Sequence, residues 1–159
     1  MRSYEISNSD SNEIEKALIV VHRDQEKKSW NPVKLQTPLR IVWAVTQAQG
    51  TIDNGGLQYF FENDWPNTPP YSVFSDALRV IGATEAAKLI DNAVALFPVK
   101  CPETNLEMRR NFMEASEKEE MRQSPFYEIS LRLLDVGGET MTALAAYIRQ
   151  HQGHFLTSI

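Results

Sequence analysis

The strongest constraint on the fold is what flanks Asn54-Gly55-Gly56. In a β protein an asparagine-glycine pair marks a hairpin between strands that alternate apolar and polar residues. Neither flank alternates here. Upstream, Leu39, Ile41, Val42, Trp43, Ala44, Val45 and Ala48 are apolar on most sides of a helix, and downstream Leu57, Phe60 and Phe61 fall at i, i+3 and i+4. A helix that is apolar nearly all round is buried by neighbours on several sides. The segment opened by Thr37-Pro38 is therefore expected to be the central rod of an all-α protein, stopped by Gly50. The glycine doublet then begins a short aromatic helix that folds back on the rod. Asp53 is expected to accept from its first amides, and two residues without Cβ let a neighbouring backbone approach. In this reading Asp53, Asn54, Gly55, Gly56, Gln58, Tyr59 and Phe60 form a structural motif.

The same period organises the rest of the chain. Ser11 or Asp10 caps a first helix running to about Lys28, with Ile14, Ala17, Leu18 and Val21 buried, and Trp30-Asn31-Pro32 breaks it. Trp65-Pro66-Asn67-Thr68-Pro69-Pro70 reads as a rigid surface connection. Val73, Phe74, Ala77, Leu78 and Ile81 line a helix ended by Gly82. Thr84 caps the next, which packs through Ala86, Ile90, Ala93, Val94 and Phe97 until Pro98, so the two form a helical hairpin. Glu103 to Gln123 has only a thin apolar face, Leu106, Phe112, Met113 and Ala115, and predicts a surface or partly frayed helix. Ser124-Pro125 starts another with Phe126, Ile129, Leu133 and Leu134 inward. Gly137-Gly138 separates it from a last one with Met141, Leu144, Ala145 and Ile148 inward. The expectation is about seven helices in one domain over residues 1–159, with no strand, repeat or low-complexity linker.

Composition and charge narrow the function. A chain of 159 residues buries about 70% of its unfolded surface around one core. No apolar run approaches the ~20 residues of a spanning helix, and Met1-Arg2-Ser3-Tyr4-Glu5 carries no secretory segment, which points to the cytoplasm and away from membranes. The lone Cys101 has no second cysteine for a staple or a zinc site and no nearby base to activate it. His151 and His154 lie too close together across a glycine to serve as paired ligands, and His22 is remote in sequence, so no metal or cofactor is expected. No isolated carboxylate pair stands out for acid-base work, and no catalytic residue is assigned. The amides of the Asn54-Gly55-Gly56 turn suit an anion in principle. The stretch has no lysine or arginine, however, and no phosphate-loop or dinucleotide fingerprint, so a structural cap is expected instead. Gln58, Tyr59, Glu62 and Asp64 fall on the outward side of the short helix, and Tyr59 with Trp65 reads either as an aromatic contact surface or as core packing.

The net charge of −5 is unevenly placed. Residues 1–50 carry 7 basic and 6 acidic side chains (+1), residues 51–98 carry 2 and 6 (−4), and residues 103–142 carry 5 and 9 (−4). Central acidity disfavours direct nucleic-acid binding, which needs a basic footprint, and permits a basic protein partner. Solvation of an acidic domain accounts for it equally well.

The string Asp53 to Asn63, followed by Ala77-Leu78-Arg79-Val80-Ile81-Gly82-Ala83 and Ala93-Val94-Ala95-Leu96-Phe97-Pro98, resembles a bacterial family of largely unknown function whose best-known member is a DNA mimic protein. Ser124-Pro125-Phe126-Tyr127 and Leu144-Ala145-Ala146-Tyr147-Ile148-Arg149 echo it more weakly, so the likeness spans roughly Leu39 to His151. The resemblance implies a compact all-helical, non-enzymatic protein that binds another protein. The named member is similar to duplex DNA in surface charge, dimerises, and occupies a transcription factor in place of its operator. Carried here, it implies a basic DNA-binding regulator as partner and a homodimer as one assembly; the candidate protein-binding carboxylates, read from the acidic centre of the chain, are Glu62, Asp64, Glu114, Glu117, Glu119 and Glu120. The alternative reading is a small helical ligand-binding protein or enzyme whose pocket near Asn54-Gly55-Gly56 is formed with Trp43, Tyr59 and Trp65.

Overall fold

The computed structural model describes residues 5–118 and 124–156, and the side chains of 117 and 118 lie outside that description. Among the described residues there are seven α-helices and no strand: α1 (Asn8–Lys27), α2 (Thr37–Glu62), α3 (Ser72–Val80), α4 (Thr84–Val94), α5 (Leu106–Lys118), α6 (Pro125–Asp135) and α7 (Gly137–Gln150). Single 3-10 turns sit at Pro32–Lys34, Pro102–Thr104 and Gln152–His154. The all-α class and the helix number expected from the periodicity are what the structure shows.

The centre is α2, which packs against α1, α3, α5, α6 and α7. Leu39, Ile41, Val42, Trp43, Ala44, Val45 and Ala48 are all buried, as a helix apolar on every side requires. Gly50 does not stop it. The helical conformation continues to Asn54, because Thr51 and Ile52 are buried by neighbours. That burial outweighs the roughly 1 kcal/mol a glycine costs inside a helix. The hydroxyls that come inside with this rod are satisfied locally: Thr46 Oγ1 donates to the Val42 carbonyl (2.7 Å) and Thr51 Oγ1 to that of Gln47 (2.8 Å).

Around this rod α3 and α4 form the expected hairpin, α4 leans on α6, and α1 lies along α7. The start of α1 is capped by Ser7, whose Oγ accepts from the Asp10 amide (3.1 Å), and not by Ser11 or Asp10. Asp10 instead accepts from Arg149 Nη1 on α7 (2.7 Å). Thr84 makes no side-chain cap for α4, whose cap position is Ala83. Trp65 departs from its expected place on a surface connection. Its ring is buried against Trp43, Phe60 and Phe74, with Pro69 also buried, so the loop has two inward anchors around an exposed tip.

Candidate functional site

The unusual feature of α2 is a break at the glycine doublet, where the two residues are needed for different reasons. Gly56 sits at φ 64°, ψ −162°, a region essentially restricted to glycine. Gly55, at φ −159°, has backbone that any residue adopts. A Cβ there would lie 2.6 Å from Tyr59 Cβ, however, closer than carbon atoms approach. Beyond the break, the Leu57 amide donates to Ser130 Oγ (3.0 Å), so the new helical segment is capped by a side chain from α6, 73 positions away in sequence. A Cβ at Gly56 would meet that same hydroxyl at 3.1 Å, so the cap needs the glycine.

The other motif residues take local roles. Asp53 Oδ1 accepts from Gln49 Nε2 (2.7 Å) and Asn54 Nδ2 donates to the Gly50 carbonyl (2.7 Å), so both side chains brace the last turn before the break. Gln58 Nε2 donates to Glu62 Oε1 (3.1 Å), and Tyr59 is 51% exposed. Phe60 is buried, where it meets Phe61, Trp65, Tyr71 and Phe74. Tyr59 and Trp65 therefore do not share a surface: one faces outward and the other lies in the core.

The far end of the aromatic segment is closed by a cation. Arg109 of α5 is only 1% exposed, and its guanidinium donates to four carbonyls: Phe61 (2.8 Å), Asn63 (3.2 Å), Pro102 (2.9 Å) and Glu103 (2.7 Å). Positive charge at the carbonyl end of a helix is electrostatically favourable, and four acceptors compensate its removal from water. Next to it, burial pushes the pKa of the Tyr71 hydroxyl above the usual tyrosine range.

Two recesses flank the break. One, of about 250 Å³, is mainly apolar and is walled by Gly55, Gly56, Leu57, Met113, Phe126 and Leu131 among others. The second, of about 290 Å³, runs along Ile52 to Gly56 with Leu131, Leu134 and Asp135. Trp43 and Trp65 line neither, so the ligand pocket expected from them does not form with those walls.

Among the expected protein-binding carboxylates, Glu62 is half-buried, and Asp64 and Glu114 are exposed. The side chain of Glu117 and residues Glu119 and Glu120 lie outside the described residues. Elsewhere, Arg79 is drawn onto Asp76 and Asp91, and Arg132 pairs with Glu85 (2.6 Å). A family model described as DMP19-like protein matches residues 33–151 of the chain. The chain belongs to the DMP19-like family. The glycine break, its cap on α6 and the Arg109 closure all lie inside the DMP19-like span. Comparisons with curated proteins and with solved structures found no match.

Ser130 and Arg109 were not singled out from the sequence, though each carried a signal. Ser130 shares the apolar face of α6 with Phe126, Leu133 and Leu134, and Arg109 shares that of α5 with Leu106 and Met113. A polar residue on an inward stripe requires a buried partner. Among the described residues no group of three His, Cys, Asp or Glu side chains converges as a metal site, and no helix is long and apolar enough to cross a membrane. Cys101 is exposed, and His151 stacks on Tyr147 with Nδ1 2.9 Å from the Tyr147 carbonyl.

Proposed function

We propose that this chain is a non-enzymatic, single-domain protein whose acidic helical surface binds another protein, a basic DNA-binding regulator being the partner its family likeness implies. The observation that carries the proposal is the interior placement of Arg109. With that cation spent on backbone carbonyls, the end of α2 and the adjoining α5 offer Glu62, Asp64, Glu107 and Glu114 against one other described arginine, Arg110. The surface is thus more acidic than the residue count. It is not a long imitation of DNA: duplex carries a charge about every 1.7 Å, so ten base pairs present about twenty phosphates, against a net −5 per chain. A local patch that occupies part of a DNA-binding groove fits that ratio.

The test is affinity capture with the whole chain as bait, repeated with Glu62, Asp64 and Glu114 changed to glutamine and, separately, Glu117, Glu119 and Glu120. The expected result is a basic partner whose retention falls as salt rises and falls again in the variants, and which duplex DNA displaces. Recovery of no partner, or retention indifferent to salt and to both sets of changes, overturns the proposal.

The recesses beside Gly55 and Gly56 support a second reading, a ligand-binding protein with its site at the break. Screening small apolar compounds by thermal shift, against wild type and a Leu131→Trp variant that narrows both recesses, separates it from the first: stabilisation of the wild type alone supports a ligand site, and no stabilisation removes it.

A further inference from the structure

The end of α1 and the loop between α2 and α3 hold four non-glycine residues in the left-handed backbone region: Ser29 (φ 54°), Trp30 (φ 56°), Asn67 (φ 59°) and Thr68 (φ 48°). Side chains adopt this region at a cost, and bulky or β-branched residues such as tryptophan and threonine are outliers there. The two pairs are tied together, since Asn67 Nδ2 donates to the Trp30 carbonyl (3.1 Å). The Trp30 amide also reaches back to the Gln25 carbonyl (2.9 Å), the bond that ends helices when the preceding residue is left-handed. Glycine usually fills that preceding position, and here it is Ser29.

The strained geometry has one visible product. Trp30 is held outward, 46% exposed, with His22 braced edge-on against its ring (centroids 6.2 Å apart) and Val33, 51% exposed, close by in sequence. Two apolar side chains are thus presented to water beside a strained turn that is tied to the loop between α2 and α3. Strain of this kind persists where the fixed conformation is itself used. A side chain already fixed loses little freedom on binding.

The surroundings say what fits. Arg40 Nη1 donates to the Val33 carbonyl (3.4 Å), which sets its guanidinium beside the patch, and Lys27 and Lys34 are exposed on the adjoining turns. Lys28 is neutralised by Asp24 (2.8 Å), and the other nearby acids are Glu26 and Asp64. Residues 1–50 carry +1, whereas the chain as a whole carries −5, so most of the patch lies outside the acidic centre of the chain. We infer that Trp30 and Val33 dock an acidic protein segment: an apolar side chain of the segment packs on the two rings and the valine, and its flanking carboxylates meet Lys27, Lys34 and Arg40. Nucleic acid suits the patch less, because three cations interrupted by Glu26 and Asp64 fall short of a phosphate footprint. This surface shares no residue with the acidic patch except the bordering Asp64, so it stands or falls independently of that function.

The test is selection from a fully randomised twelve-residue peptide library on the intact chain, followed by fluorescence-anisotropy titration of the enriched peptides carrying a fluorescein label, with tryptophan quenching as a second readout on the wild type. Trp43 and Trp65 are buried, so a change in solvent quenching reports on Trp30. Enriched peptides are expected to carry an apolar residue between aspartates or glutamates and to shield Trp30 from quencher. They should lose at least tenfold in affinity with Trp30→Ala, and again with Lys27→Glu and Lys34→Glu together; all three positions are exposed, so folding is retained. Enrichment of basic peptides, no enrichment at all, or affinity unchanged by both variants overturns the inference. So does tighter binding of a single-stranded DNA probe of the same length, which assigns the patch to nucleic acid.

Discussion

Gly55 and Gly56 occupy neighbouring positions but answer to separate constraints, so alanine substitutions should separate them. Gly56→Ala forces a side chain into a backbone region reserved for glycine and against Ser130. A loss of about 1–3 kcal/mol is expected from the backbone alone, read as a lower midpoint in urea with an unchanged slope. Gly55→Ala is destabilising through the contact with Tyr59, and Tyr59→Gly in the same chain should recover part of the loss, which it cannot do for Gly56→Ala. The sequence showed that glycine mattered at this point, because two adjacent residues without Cβ between apolar helical runs have few other uses. It did not show which one takes the left-handed conformation. Asn54 and Gly55 were the expected turn, yet Asn54 is helical and the turn falls one residue later. Local rules rank turn formers, whereas the position of Ser130 decides where the helix must open.

At the scale of the elements, α5 and α6 hold the second half of α2 from its two ends. Ser130→Ala removes the cap on Leu57 and is expected to cost about 1 kcal/mol, measured by thermal unfolding, while the α-helical circular dichroism stays near wild type. Arg109 is the heavier constraint, since its loss leaves four carbonyls without their donor, those of Phe61 and Pro102 in the interior. Arg109→Ala should cost at least about 3 kcal/mol. Arg109→Lys should fall between alanine and wild type, because an ammonium cannot reproduce the planar fan of a guanidinium. Equal losses for lysine and alanine would mean that fork geometry, not charge, holds the elements. The helices themselves were legible from apolar spacing: every apolar residue assigned to the central rod is buried. What joins them was not. Glu107-Met108-Arg109-Arg110 has the composition of a solvated surface, and only the register of Arg109 with Leu106 and Met113 sets it apart from Arg110. Trp65 escaped for the opposite reason, since the prolines around it suggested an exposed loop while its ring anchors that loop in the core.

Across the whole molecule, the first and last of the seven helices are joined by Asp10 and Arg149, 139 residues apart in sequence. The hydrogen bond from Arg149, and then that involving Ser7, hold the Asp10 carboxyl below its ordinary pKa. A carboxyl whose folded pKa is depressed contributes its stability in full above the unfolded value near 3.9 and loses it as pH falls through the folded value. Wild type and Asp10→Asn should therefore differ most in unfolding midpoint at neutral pH and converge as pH falls below the ordinary carboxylate range; a gap that is constant with pH would place the effect in packing and not in the charge. The cap from α6 has a further consequence, in the timing of protection. An amide whose acceptor lies 73 residues away cannot be shielded by its own turn alone, so deuterium should enter Leu57 whenever α6 lifts off, even while the rod from Thr37 to Asn54 stays closed. That one proton makes the docking of α6 observable as a local opening, separable from global unfolding.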